Sequence, residues 1–312
     1  MEIIQGFSTT TFIDNAYISI GIYDGVHTGH QAVLKTLVND ARAGNGVSCI
    51  ITFHPHPVRV LRMGYNPPPQ ITSTVHKMRL LAQLGIDYCF IIEFNNRFAK
   101  ISPETFFESI LATHFNIKEL CVGYDCSFGK DKSGSLNLLR KMSKERDFIL
   151  KVIDPVKIDD IVVSSSMIRK LIIAGELELV KLMTGRPYSL WGTVVAGNTF
   201  GRKIGYPTAN LDPHHEALPP SGVYIVNVQL EGKSYQGLMN IGYRPTFFDK
   251  YGYEEIIEVH ILDFNKNIYG KDMEIIFLKK IRDEKRFSTT QSLIRQIKQD
   301  EREAKKYFGK LT

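Results

Sequence analysis

Between residue 17 and about residue 160, short apolar runs alternate with segments whose apolar residues recur at helical spacing. The run Tyr17-Ile18-Ser19-Ile20 reads as a strand, broken by Gly21 and Gly25 and followed by a helix through Ala43 that Gly44-Asn45-Gly46 ends. A strand over 47–53, a helix from Thr74 to Leu84 stopped by Gly85, and a strand over 88–92 come next. Ser102-Pro103-Glu104 is a helix start, an N-cap followed by proline at the first helical position. Strands over 119–122 and 148–152 complete the series. Apolar strands alternating with helices predict a doubly wound, parallel α/β sheet.

From about residue 185 the pattern changes. Strands over 191–195, 223–230, 234–241, 256–262 and 273–278 follow at short spacing, and Glu231-Gly232-Lys233 makes a hairpin turn between two of them. A helical pattern returns only at the end, carried by Leu293, Ile297, Glu301 and Ala304. Antiparallel strands with one closing helix predict a small β-barrel. The join falls near Met183-Thr184-Gly185-Arg186-Pro187, which gives two domains, 1–184 and 185–312.

The chain has 312 residues, enough for two cores. Its N-terminus lacks the basic and apolar regions of a signal peptide, and no run reaches the ~20 apolar residues that span a bilayer. Cys49, Cys89, Cys121 and Cys126 show no metal-like spacing, so reduced thiols in a cytoplasmic protein are expected. The net charge of +6 suits polyphosphate substrates. The basic residues are spread out rather than striped, and Lys279 to Arg286 is interrupted by acids, so no nucleic-acid partner is expected.

The chemistry concentrates in Gly21-Ile22-Tyr23-Asp24-Gly25-Val26-His27-Thr28-Gly29-His30. A strand, a glycine break and a helix start form the layout of a triphosphate site at a helix N-terminus. Gly29 leaves room for a phosphate against the backbone, and His27 and His30, three apart, are expected on one face of the first turn. Two imidazoles there can donate to non-bridging oxygens and stabilise charge developing on an α-phosphate. The alternatives are a zinc pair, though zinc prefers histidines four apart and needs a third ligand, and two ordinary surface histidines. Ser164-Ser165-Ser166-Met167-Ile168-Arg169 opens a later helix. Its hydroxyls and amides suit phosphate oxygens and Arg169 suits a departing pyrophosphate, against a plain serine N-cap. In the barrel, Gly197, Gly201 and Gly205 precede Pro207-Thr208-Ala209-Asn210. Thr208 and Asn210 point to one side of an extended strand and offer hard oxygens to Mg²⁺. Glu258 and His260 share one strand face, opposite Ile257, Val259 and Ile261.

These motifs resemble those of the bacterial bifunctional riboflavin kinase/FMN adenylyltransferase family, the FAD synthetases, whose first half belongs to the HxGH nucleotidyltransferases. Thr52-Phe53-His54-Pro55-His56-Pro57, Arg97-Phe98-Ala99 and Val122-Gly123-Tyr124-Asp125-Cys126-Ser127-Phe128-Gly129 extend the likeness over nearly the whole chain. The resemblance implies phosphorylation of riboflavin to FMN by the second domain and adenylylation of FMN to FAD by the first, each with ATP and Mg²⁺. For FMN adenylylation it implies His27, His30 and Arg169 as catalytic, Gly21, Tyr23, Asp24, Gly29 and Ser165 around ATP, and His56, Pro57, Asp125 and Phe128 around the flavin. The alternatives for His56 and Phe128 are an exposed loop and the core. For the kinase it implies Glu258 as base, with a solvent-facing glutamate as the alternative. It also implies Gly197, Gly201, Arg202, Gly205 and Asn240 around ATP, Thr208 and Asn210 on the metal, and Arg282, Glu284 and Phe287 over the flavin.

The family pattern has phenylalanine at Tyr23, Phe-Arg at Cys126-Ser127 and arginine at Lys132. A monomer or weak homo-oligomer acting on ATP, riboflavin and FMN, with no membrane partner, is expected. A single-activity transferase whose barrel only binds flavin, and a flavin-sensing regulator, are the rival readings.

Overall fold

The computed structural model describes residues 1–8, 11–61, 67–197, 200–245 and 253–309. Asn198, Thr199 and Thr246, and the side chains of Lys132, Lys203 and Arg244, lie outside the described residues. By its contacts the chain divides into two compact units, Met1–Pro69 with Thr74–Met167, and Gln70–Ser73 with Ile168–Thr312.

The first unit runs β1 (Glu2–Gln5), β2 (Ile13–Ile20), α1 (Thr28–Ala43), β3 (Val47–His54), α2 (Pro57–Leu61), α3 (Thr74–Ala82) and β4 (Tyr88–Glu93). It continues with α4 (Pro103–Phe106), which extends as a wider π turn, then β5 (Phe115–Gly123), α5 (Leu136–Arg146), β6 (Ile149–Ile153) and the short strands β7 (Lys157–Ile158) and β8 (Ile161–Val162). Six parallel strands pair in the order β1-β4-β3-β2-β5-β6. Both faces are covered, as a parallel sheet requires. Alternation sends Ile18, Ile51, Phe90 and Leu120 to a core with Phe106, Phe107 and Leu111. Ile50, Cys89, Ile91 and Cys121 go to the other face, against Leu34 and Leu37 of α1 and Leu81 of α3. Each fully buried leucine contributes about 1.5–3 kcal/mol. Burial pushes the Cys49, Cys89 and Cys121 thiols up to about 12, so they sit protonated in the core.

One buried polar cluster makes this unit pH-sensitive. Glu119 of β5 is almost fully buried, and burial and then the Asp40 carboxylate raise it from 4.5 to about 7. Asp40 is held by Lys151 at 2.5 Å. With the folded value above the unfolded one, the folded state keeps a proton that the unfolded chain releases, so stability declines as pH rises from about 4.5 to about 7. Glu119→Gln should remove that decline, which calorimetric unfolding midpoints taken across this range would show.

The second unit runs α6 (Ser165–Ala174), which begins at the end of the first, then α7 (Leu177–Thr184), β9 (Ser189–Val195), α8 (Phe200–Lys203) and β10 (Ala209–Asp212). It ends with β11 (Gly222–Leu230), β12 (Lys233–Pro245), β13 (Tyr253–Ile261), β14 (Asp272–Arg282) and α9 (Thr290–Phe308). The long strands close an antiparallel barrel in the order β10-β13-β12-β11-β14-β9. Helix α9 starts in a capping box at Thr289 and Ser292 and buries Ala304 and Phe308 against Val223, Ile225, Leu238 and Leu262. Buried Glu216 accepts from the Ser73 and Trp191 amides, at 2.7 and 3.0 Å, which ties residues 70–73 to this unit. The hydrophobic pattern does not predict strand β1, the short pair β7 and β8, or β10, which only the Thr208–Asn210 motif marks.

Candidate active sites

In the first unit the strand order reverses at β2, which has β3 on one side and β5 on the other. Ligand sites of open α/β sheets lie at the carboxyl edge of such a switch point. The turn leaving β2 is tight, with Tyr23 at φ 53°. A Cβ on Gly21 would come within 2.7 Å of the Tyr23 ring, so glycine is required there. The buried Tyr23 hydroxyl, which phenylalanine would lack, donates to Ser19 Oγ at 2.8 Å, and Ser19 Oγ donates to the Cys121 carbonyl at 2.5 Å.

His27 is the N-cap of α1 rather than part of its first turn, and its Nδ1 accepts from the His30 amide at 3.3 Å. The cap still delivers the expected face, because the His27 and His30 rings stack 3.6 Å apart at 20°. An accepting Nδ1 leaves Nε2 as the His27 ring nitrogen that can donate. The Tyr23 ring meets His30 edge-on at 5.4 Å. His30 Nδ1 is buried with no hydrogen-bond partner. Burial, then His27 and Lys77, holds His30 well below 6.5, so its imidazole is neutral near pH 7. Ser165 Oγ donates to the Asp24 carbonyl at 2.9 Å, which brings the start of α6 to this turn, and Ser164 Oγ accepts from the Met167 amide. Arg169 lies one turn further along α6.

The flavin candidates stand on neighbouring loops of the same edge. His56 Nδ1 accepts from the Val58 amide at 3.1 Å and so opens α2, and His54 Nδ1 pairs with Thr74 Oγ1 at 2.8 Å. Asp125 is exposed on the turn after β5. Phe128 packs against Phe106 at 5.8 Å, on the edge of the core. One functional candidate escapes the sequence. Lys77 of α3 is 5% exposed and donates to the Ile22 carbonyl at 3.0 Å and to Thr52 Oγ1 at 3.2 Å. Its only signal was a lysine at helical spacing with Leu80 and Leu81 on an apolar face.

In the second unit, register assembles the site. Glu258 of β13 faces Asn210 of β10 on one side and Asn240 of β12 on the other, so three polar side chains form one row across the barrel surface. Their neighbours Val259, Met239 and Ile257 point inward and are buried. Gly242 extends the row, and a Cβ there would come within 2.5 Å of Glu284 Oε1 and 3.5 Å of the Asn240 amide, which places Glu284 over it. A Cβ on Gly197 would overlap the Asn210 side chain at 2.0 Å, and one on Gly201 would meet the Tyr206 carbonyl at 2.4 Å. These glycines exist so that the loop can lie on the strand. His260 Nδ1 donates to the Pro207 carbonyl at 2.8 Å, and its Nε2 lies 3.3 Å from Glu301 Oε1 of α9, fixing the turn that presents Thr208. Arg282 is directed elsewhere, into a forked pair with buried Asp300 at 2.8–3.1 Å, with Phe287 at 6.0 Å from its guanidinium. A cleft runs from Arg202, Thr208 and Asn210 to an apolar wall of Val194, Ile261 and Phe264. Segment 264–269, which supplies part of that wall, carries no sequence signal of its own.

Comparison with known proteins follows this division. Residues 10–167 match the FAD synthetase family and residues 184–308 the riboflavin kinase family. The bifunctional riboflavin kinase/FMN adenylyltransferase of Bacillus subtilis (strain 168) is 35% identical over 94% of this chain and 93% of its own length. The protein of that name from Escherichia coli (strain K12) is 34% identical over 99% and 98%. A crystal structure described as a macrolide-efflux protein from Streptococcus pneumoniae matches with TM-score 0.81 and 30% identity, over 97% of this chain and 98% of that one. Among the described residues here, no helix is long and apolar enough to cross a membrane.

Proposed function

Since this chain belongs to the family of bifunctional riboflavin kinase/FMN adenylyltransferases, with both activities, we propose which of its residues carry each of them. FMN adenylylation is assigned to residues 1–184 and riboflavin phosphorylation to residues 185–312.

In the first reaction an oxygen of the FMN phosphate attacks the α-phosphorus of ATP, and the α–β bridging bond breaks to release pyrophosphate. The observation that carries the site assignment is the stacked His27–His30 pair with its unpartnered, buried Nδ1. Such an atom is costly to leave unsatisfied, and a phosphate oxygen beside it answers that cost. The donors act on charge that grows in the transition state, without a covalent intermediate. Ser165 and Arg169 take the β- and γ-phosphates, Gly21, Tyr23, Asp24 and Gly29 shape the phosphate floor, and His56, Pro57, Asp125 and Phe128 border the flavin.

In the second reaction the riboflavin 5′-hydroxyl attacks the γ-phosphorus of ATP and ADP leaves. Glu258 is the base that takes the hydroxyl proton. Asn240 orients the same region, the Gly197–Gly205 loop with Arg202 covers the phosphates, and the apolar wall of the cleft takes the adenine. Glu284 and Phe287 border the flavin, and Arg282 holds their loop through Asp300. The Thr208 hydroxyl and Asn210 carbonyl oxygen are neutral, hard donors on one strand face, a set that fits Mg²⁺ shared with nucleotide phosphates. Bound Mg²⁺ offsets phosphate charge. Incubation with riboflavin and ATP, with flavins resolved by chromatography, should give FMN and then FAD. An excess of EDTA should reduce both products to background, and FMN production that survives it would remove Thr208 and Asn210 from a metal role.

We also propose a cytoplasmic enzyme, a monomer or weak homo-oligomer. Four free cysteines, three of them buried, support a reducing compartment.

A further inference from the structure

Lys77 is an unusual occupant of the buried side of α3, which it shares with His76, Met78, Leu80 and Leu81. Burying an ammonium is costly unless its protons are used, and two of its three are, on Ile22 O and Thr52 Oγ1. Thr52 Oγ1 in turn donates to the same Ile22 carbonyl at 3.3 Å. The lysine therefore grips the peptide between Ile22 and Tyr23, in the middle of the turn that precedes the histidine pair. In a trans peptide the N–H points opposite to the C=O, so this grip turns the Tyr23 amide away from Lys77. That amide makes no hydrogen bond among the described residues.

We propose that Lys77 is a positioning residue for FMN adenylylation. It locks the Ile22–Tyr23 peptide so that the Tyr23 amide is held ready for a nucleotide phosphate oxygen, and it supplies a fixed positive charge behind the histidine pair. The inference rests on the assignment of His27 and His30 to that reaction. The groups that face Lys77 are Asp24 from the β2 turn, His30 from α1, His54 from β3 and Cys89 from β4. Asp24 and Cys89 act to raise the lysine; burial outweighs them and brings it from 10.5 down to about 8. Below that pH the charge is present, and above it the charge is lost, so anion affinity should fall on the alkaline side.

The test is the pH profile of kcat/KM for ATP, measured for FAD formation from supplied FMN. The wild-type profile should fall through a single-proton limb near pH 8. Lys77→Met should lower the pH 7 value by roughly tenfold to a hundredfold and abolish that limb. Thr52→Val keeps the lysine but removes one acceptor, so its limb should move to the acid side by about half a pH unit or more. FMN formation from riboflavin should keep its own profile in both variants. A limb unchanged in either variant, or a wild-type profile flat from pH 7 to 9, overturns the proposal. Should Lys77→Met fail to fold, Thr52→Val decides alone. If His27 variants make FAD at the normal rate, the histidine assignment fails first and is recognised as a separate result.

Discussion

His27→Ala should slow FAD formation by about a hundredfold to a thousandfold, the effect of removing one preorganised donor from a developing oxyanion. FMN formation from riboflavin should stay near the wild-type rate, because the residues proposed for it all lie in the second unit. Alanine also deletes the cap on the His30 amide, worth about 1 kcal/mol, so a loss of rate could be only a frayed helix. His27→Asn separates the two causes, since asparagine caps well but has no imidazole. Both variants should be slow. If asparagine restored FAD formation, His27 would be a cap and nothing more.

The second large effect is expected at Glu258. Glu258→Gln keeps the shape of the Asn210–Glu258–Asn240 row but cannot take a proton, and should lower kcat for FMN formation by about a hundredfold to ten-thousandfold. The KM for riboflavin should change far less, because the amide keeps the shape of the carboxylate it replaces. FAD formation from supplied FMN should be untouched. A kcat within a few-fold of wild type would show that the base lies elsewhere or that none is needed. Mirror-image losses in the two variants would also dispose of both rival readings, the single-activity transferase and the idle flavin sensor.

The sheet and the histidine motif were legible because their signals are local. A strand, a glycine break and a helical period sit within one stretch, and the two imidazoles follow from their spacing. The cap was not legible, since Thr28 reads as an equally good helix start, yet it decides which His27 nitrogen is engaged. In the barrel, period-2 alternation showed that Glu258 and His260 share a face. It could not show that Asn210 and Asn240 stand opposite Glu258, because register depends on how separate strands pair. Lys77 stayed hidden for a related reason: one charged residue on an apolar helix face says nothing about which distant carbonyl it reaches. The bond between Arg282 and Asp300 joins residues on different elements, so no pattern along the chain announces it. Strand β1 was missed because Glu2-Ile3-Ile4-Gln5 offers two apolar residues and no alternation.

The contacts made by α9 give the chain's end a consequence out of proportion to its distance from the chemistry. Through Glu301 it steadies His260 and hence the turn bearing Thr208, and through Asp300 it secures the arm that bears Glu284. Clipping the protein short of this segment would therefore remove both supports at once and uncover Val223, Ile225, Leu238 and Leu262, so a fusion partner belongs beyond Phe308 rather than in place of what precedes it.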